Sequence, residues 1–543
     1  MAGAALCRLA FLALVAYTAA EDATLEQRIA ALREQVKAED SRLRRLERGS
    51  ARHTRRLADT EPSIHGAYDV FHREYTFEES FAGALTHCWL LLAGAMVMFM
   101  QAGFAMVEAG VCRAKNVQSI LLKNLTDVAM GTFGWWIFGW AFAFGGPHDD
   151  DGYQKNGFAG RQQFAAVGFL TVVKDGQFEP SGNMLTWFFQ WAFCATAATI
   201  VSGGVAERVN FVGYVIFSLC MTVFIYPIIV AWTWGYGFLA SFNATGYMDF
   251  AGSGVVHLTG GTAALVGAAI CGPRRGRFPE DYSLMQRVLD APEKFDPHSQ
   301  PLIVLGTFIL WFGWYGFNCG STLAMETIEN GFMAGHVAMN TTLSASCGGL
   351  VVFMLRFAML RRYDIGGLCN GILAGLVSIT AGCGNMEHGS AVFTGVFGGF
   401  LCQGASSLVR ICKVDDPIDA FAVHGACGMW GVLAAGFFDW GDGFDVAHGW
   451  SGFRCMMAND GTCDTNGMGN AMLLANFVEV VCIAAWAGIL AAIIFLILKA
   501  IGMLRLGEDI EKMGIDKEKH SPLKAYAQDL SEENVPEEPL NSI

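Results

Sequence analysis

Charge is what this sequence has least of. Asp, Glu, Lys and Arg make up 16% of the 543 residues, while 53% are hydrophobic and mean hydropathy is +0.37. Soluble domains carry about 25% charged residues, so an ordinary water-soluble enzyme or binding module is excluded. No basic cluster of any size stands out, and a net charge of −14 removes nucleic acid from the candidate partners. Cysteine is scarce where a disulfide framework would need it. Most of the 16 lie in apolar stretches, as Cys194, Cys220, Cys271, Cys347 and Cys482 do, and there a thiol acts as a small hydrophobe. Only Cys455 and Cys463 share a polar loop, a pairing that an extracellular position would permit. Glycine and tryptophan, at 65 and 14 residues, are abundant instead. Glycine lets helices approach closely in lipid, and tryptophan favours the bilayer interface.

The first 20 residues have the form of a signal peptide. Arg8 precedes the apolar run Leu9 to Val15, too short to span a bilayer, and Thr18, Ala19 and Ala20 supply a small-residue cleavage site. Residues 21–60 are polar, with Leu25, Ile29, Leu32, Val36, Leu43 and Leu46 at alternating spacings of four and three and Glu39 interrupting. This short heptad seam fits a coiled coil tying together an oligomer, or equally a lone amphipathic helix or disordered leader.

From about Phe81 onward, eleven apolar stretches are long enough to span: 84–110, 118–145, 183–205, 210–233, 249–272, 301–321, 333–360, 365–383, 389–409, 418–439 and 471–503. With the N-terminus outside, the inner loops receive Arg113 and Lys115, Arg208, the run Arg274, Arg275 and Arg277, then Arg361 and Arg362, then Arg410 and Lys413. The outer loops are neutral or acidic, as at Asp149, Asp150 and Asp151, and the sequon Asn243-Ala-Thr245 marks a glycosylation site there. The prediction is an all-α polytopic membrane protein of eleven transmembrane helices, its membrane domain at 81–503 and a cytoplasmic tail at 504–543.

Asp249 precedes His257 by eight residues in the fifth span, and Asp416 precedes His424 by eight in the tenth. Two halves of five spans each must run in opposite directions, the inverted-repeat plan of many transporters, whose site lies at mid-membrane between the repeats. A single histidine in a span is most simply satisfied by a neighbouring carbonyl. Two at equivalent repeat positions point to a functional pair able to share, accept or donate a proton. A metal site is the competing chemistry, because Cys427 lies three residues after His424, but no further ligand stands at helical spacing and none is expected.

Several blocks are specific: DFAGSGVVHLTGGTAALVGAAICGPRRGRF (Asp249 to Phe278), LGTFILWFGWYGFNCGS (Leu305 to Ser321), GLCNGILAGLVSITAGC (Gly367 to Cys383) and VDDPIDAFAVHGACG (Val414 to Gly428). FQWAFCATAATIVSGGVAERV (Phe189 to Val209) and RAKNV (Arg113 to Val117) join them. In these blocks, from about Trp89 to Tyr526, the sequence resembles the Amt/Mep/Rh ammonium transporter family, in its plant-type Amt branch. The resemblance implies a plasma-membrane homotrimer with one pore per subunit, carrying ammonium and methylammonium without a cofactor and without enzymatic chemistry. It further implies that His257 and His424 are the twin histidines of the pore and that Phe193 and Phe317 are the stacked rings closing its outer end. Trp234 and Ser321 would belong to the external recruitment site, with Asp249 beneath it and Gln190 near the gate. Without those motifs any one Phe or Trp would be read as ordinary packing, and Asp249 as a helix cap.

The sequence also departs from the family. After Gly514-Ile515-Asp516 come Lys517 and Glu518 where that branch carries a phosphorylated threonine; the nearest hydroxyl is Ser521. Cys319 stands where proline or alanine is common. Two other readings compete with transport: an ammonium sensor signalling to a cytoplasmic partner, and a membrane enzyme built on the histidines and Cys427.

Overall fold

The computed structural model describes residues 77–526, apart from 439–467 and positions 150, 151, 153, 170, 175, 176, 181, 245, 290, 291 and 524. The signal peptide, the heptad leader, and Cys455 and Cys463 lie outside the described residues. Helical segments stand at each of the apolar stretches: α1 Phe77–Val111, α2 Val117–Gly134, α3 Asn183–Gly204, α4 Phe211–Trp232, α5 Ser253–Cys271, α6 Gln300–Gly320, α7 Ile328–Leu360, α8 Ile365–Thr380, α9 His388–Ile411, α10 Phe421–Phe437 and α11 Met468–Ala500. Eight of these are long and apolar enough to cross a membrane. The other three are α8 and α10, which are shorter, and α2, which continues through a wide π-helical turn at Trp135–Gly139 into Trp140–Phe144. The all-α polytopic class therefore holds.

One departure is a two-stranded antiparallel ribbon, β1 Thr171–Lys174 against β2 Gln177–Pro180, in the long connection between α2 and α3. Asn243 is exposed in the loop after α4.

Local chemistry sets the helix starts. Asn210 caps α4 by accepting from the Val212 amide, Thr327 caps α7 through Asn330, and Asp364 caps α8 through Gly367. Burial then orders the bundle. α1 packs along α6, and α7 packs against α8 and α9, while large apolar side chains such as Phe308, Phe332, Leu350 and Ile489 remain exposed on the outside. In water such a surface would be an aggregation hazard; in lipid it is the solvent-facing side.

One end of the bundle is closed by charge. Glu207, in the α3–α4 turn, accepts from the Arg113 backbone amide at 2.9 Å, from Arg113 Nε at 2.8 Å, from Asn116 Nδ2 at 2.8 Å, and from Arg274 Nη1. Arg274 also donates from Nε to Asp415 at 2.8 Å, and Arg208 donates to the Asp415 carbonyl at 2.6 Å. The tail joins the same network. Arg505 pairs with Glu511 at 2.8 Å, and Asp516 accepts from the backbone amides of Gln118 and Ser119, which start α2. Four helix connections and the tail, drawn from distant parts of the sequence, thus meet at one end, as alternating helices require. The loop at Arg361 approaches the same end through Arg356, which pairs with Asp364 and Asp419.

α5 and α10 cross in the middle of the bundle. Gly261 lies so close to Gly425 that a Cβ there would overlap the Gly425 backbone nitrogen, so neither helix carries a side chain at the crossing.

Two outcomes follow. Burial pushes the Glu207 carboxyl up, but Arg274 and Arg113 outweigh burial and bring it down from 4.5 to about 2. Its stabilisation is therefore present above pH 4.5 and lost as pH falls towards 2. Thermal unfolding of detergent-solubilised protein between pH 5 and 2 should show this loss in wild type and a much smaller one in Glu207→Gln, which should itself cost about 3–5 kcal/mol at neutral pH. Gly261→Ala should lower the unfolding temperature through an overpacking cost of about 1–3 kcal/mol. Gly404→Ala, at a glycine with open space around it, should leave it unchanged.

Candidate functional site

The histidines of α5 and α10 meet at the crossing. Both sit in π-helical turns, Ser253–Leu258 and Phe421–Ala426, whose wider winding is often found at functional sites. Each turn is held by the aspartate eight residues before its histidine. Asp249 accepts four backbone amides: Gly252 and Ser253 at 2.8 Å on Oδ1, Gly254 and Val255 at 2.9 Å on Oδ2. Asp416 accepts the Phe421 amide at 2.7 Å. Capping is thus a real task of Asp249, and the amides it satisfies are buried in the bundle, where leaving them unpaired would cost several kcal/mol each. Gly252, at φ 107°, makes the tight turn that brings them round one carboxylate.

His257 and His424 are both buried, with Nδ1 atoms 3.2 Å apart and ring centroids 5.2 Å apart at an interplanar angle of 23°. One Nδ1 must carry the proton and the other accept it. In the neutral pair, one ring therefore presents a bare Nε2 and the other an Nε2–H. His257 Nε2 has no partner among the described residues.

The remaining aromatics form a column with this pair. Phe193 on α3 stacks on Phe317 on α6, centroids 4.1 Å apart, and Phe317 lies 5.4 Å from His257. Trp234 stands edge-on to Phe193 at 5.8 Å and donates its Nε1–H to the Asp249 carbonyl at 2.9 Å. Gln190 and Ser321 sit one turn from the two phenylalanines. Gln190 is buried with its Oε1 unpartnered among the described residues, and Ser321 donates back to the Phe317 carbonyl at 2.8 Å. The structure thus brings His257, His424, Phe193, Phe317, Trp234 and Asp249 into one chain of contacts, with Gln190 and Ser321 at its outer margin.

Cys427 is turned elsewhere, its thiol donating to the carbonyls of Ala422 and Gly398. Among the described residues no three His, Cys, Asp or Glu side chains are grouped to hold a metal ion.

Sequence reasoning missed several neighbours. Trp314 stacks on His257 at 5.0 Å and 16°, and Phe104 flanks His424 at 6.0 Å. Glu479 on α11 is buried beside Asp249. A Cβ on Gly254 would lie 2.9 Å from Glu479 Oε1 and 3.2 Å from Asp249 Oδ2. The aromatics carry no signal that separates them from packing, whereas Glu479 is a charge inside an apolar span and was open to notice.

Comparison with known proteins identifies the family of the chain. The chain is 35% identical over 471 residues to ammonium transporter 1 member 3 of Solanum lycopersicum, covering 84% of this chain and 96% of that relative. It is 36% identical over 442 residues to the ammonium transporter Amt2 of Archaeoglobus fulgidus, covering 80% and 86%. Among solved structures, a sensor Amt protein superposes with a TM-score of 0.69 at 31% identity, covering 80% of this chain and 98% of that one. Mep2 of Saccharomyces cerevisiae superposes with 0.66 at 29% identity, covering 80% and 91%. The sequence model described as the Ammonium Transporter Family matches residues 88–526, so the chain belongs to that family.

Proposed function

We propose that this ammonium transporter moves its substrate through a pore within the subunit, along the column running from Trp234 through Phe193 and Phe317 to His257 and His424. Ammonium is recruited at the outer mouth by the face of Trp234 and the Ser321 hydroxyl. An aromatic face and an oxygen acceptor suit a cation with four N–H groups better than they suit a bare metal ion. Gln190 lies beside the same mouth. Asp249 fixes the fold of the mouth by capping α5, and its negative charge favours a cation above it.

The stacked phenylalanines close the mouth to water. Below them an ion in an apolar lumen would lose its hydration at a cost of many kcal/mol. Ammonium therefore gives up a proton at the gate, and ammonia passes the imidazole pair. Ammonia is both a donor and an acceptor, and the neutral pair offers one bare Nε2 and one Nε2–H. The observation that carries this reading is the 3.2 Å Nδ1–Nδ1 approach of His257 and His424, directly beneath the ring stack. Methylammonium shares the charge and donor pattern and is a second substrate.

The same reading places the charged end in the cytoplasm, because that end gathers the arginines of alternate loops. The N-terminus is then outside the plasma membrane and the tail inside, and three subunits assemble with their pores separate. In cells lacking their own ammonium transporters, the wild-type chain should restore growth on low ammonium, with methylammonium competing. His257→Ala and His424→Ala should each cut labelled methylammonium uptake at least about tenfold at equal surface expression, a barrier increase of about 1.4 kcal/mol. Wild-type uptake by either variant would refute the lumen as the route.

A further inference from the structure

Glu108 is a carboxyl group in the last turn of apolar helix α1, Phe77–Val111, to which the reading above gives no task. It is fully buried. Its Oε2 accepts from the Ser202 hydroxyl at 2.9 Å, and its Oε1 has no partner among the described residues. The same side chain lines a cavity of about 20 Å³ together with His424, Phe104 and Asn370. That is room for one water-sized molecule, and ammonia is of that size. Asn370 donates from Nδ2 to Asp419 at 3.3 Å, which leaves its amide oxygen as an acceptor.

The counter-charge is Lys123 on α2, also buried, which donates to the Ser202 carbonyl at 3.2 Å. Ser202 on α3 thus joins the carboxyl to the ammonium group. Beyond Lys123, whose Nζ stands 5.3 Å from the Tyr214 ring centroid, Tyr214 donates to Asp127 at 2.6 Å. The titratable groups around Glu108 are therefore His424 from α10, Lys123 and Asp127 from α2, Tyr214 from α4, and Cys112 one turn on, whose amide donates to the Glu108 carbonyl at 3.0 Å. A buried carboxyl is costly in a span and is retained where it has a partner or a pathway.

We propose that Glu108 is the proton-exchanging residue at the inner end of the lumen: it takes the proton carried by the histidine pair and returns it to ammonia in this cavity. This rests on the lumen reading above. At the gate an ammonium N–H bond breaks, its electron pair stays on nitrogen, and the proton forms an N–H bond on the imidazole pair. His424 passes it to the Glu108 carboxylate, forming the carboxylic acid and restoring the neutral imidazole. The acid O–H then breaks towards ammonia waiting in the cavity, giving ammonium and the carboxylate. The carboxylate and the neutral charge of the pair are restored, and one whole ammonium ion, with its charge, has crossed. The shared Nδ1 proton has passed to the other ring and returns when the two tautomers reset before the next cycle. Lys123 offsets the carboxylate whenever the acid is empty.

The test is simultaneous voltage clamp and labelled methylammonium uptake in the same cells. Wild type should carry a current that scales with uptake. In Glu108→Gln, which keeps shape but neither takes nor gives a proton, uptake should persist while current per molecule falls at least about tenfold. Glu108→Asp should recover part of it. Where Glu108→Gln fails to reach the surface because Lys123 is left unpaired, the double variant Glu108→Gln, Lys123→Met carries the same expectation. A wild-type current-to-uptake ratio in the neutral variant, or no current in wild type, overturns the proposal. Loss of uptake in the histidine variants alongside an unchanged ratio in Glu108→Gln sinks only the role of Glu108. Unimpaired histidine variants sink the lumen itself.

Discussion

An ion cannot be held cheaply in a dry apolar passage, and the proposed route through the middle of this bundle rests on that constraint. Two imidazoles, one from α5 and one from α10, supply the polar groups deep in it. They meet because the backbones carrying them cross at Gly261 and Gly425 with no side chain between. They are aimed by π-helical turns, and the four amides at the start of the α5 turn all end on the Asp249 carboxylate. Lengthen the crossing by a methyl group or remove the cap, and the ring pair loses its register.

The charged end does different work. Glu207, Arg274 and Asp415 are almost fully removed from solvent, Arg113 is partly exposed, and each carboxylate has more than one donor. Such a network is destabilising when half made and rigid when complete. It locks the loops of both halves together, and it gives the tail a seat on the α5–α6 loop, where Glu511 accepts from the Arg275 amide, and on the start of α2, where Asp516 accepts from Gln118 and Ser119. A tail seated on the loops that anchor the helices is mechanically connected to them, and no threonine follows its Gly514-Ile515-Asp516 element, where Lys517 and Glu518 stand.

Much of the architecture was legible beforehand because hydropathy and loop charge are strong signals in lipid. Spans expected at 183–205 and 210–233 appear as helices Asn183–Gly204 and Phe211–Trp232. The fifth was read as beginning at Asp249, whereas the helix begins at Ser253; the four residues between form the capping turn, whose apolar composition hid it. The paired Asp and His spacing announced the two histidines, since its repetition in both halves is improbable by chance. The phenylalanine stack was accessible only by resemblance, because an aromatic in an apolar span has no local signature of function. The ribbon at 171–180 did carry a local signal, Asp175-Gly176 between two short runs, which the span count passed over, whereas the partners Trp314 and Phe104 depend on distant packing and left no trace in the local pattern. Glu108, Lys123 and Glu479 did leave one, as charges inside apolar stretches, and only the folded structure shows what each one faces.

The central claim is that two neutral imidazoles share one proton between their Nδ1 atoms in a water-free passage. Solid-state ¹⁵N NMR of histidine-labelled protein in lipid bilayers, assigned with single histidine variants, reads that arrangement directly. The account predicts one protonated and one bare Nδ1, coupled to each other through the hydrogen bond, with the coupling abolished by replacing either His257 or His424. Two uncoupled rings, or rings exchanging freely with bulk water, would contradict it.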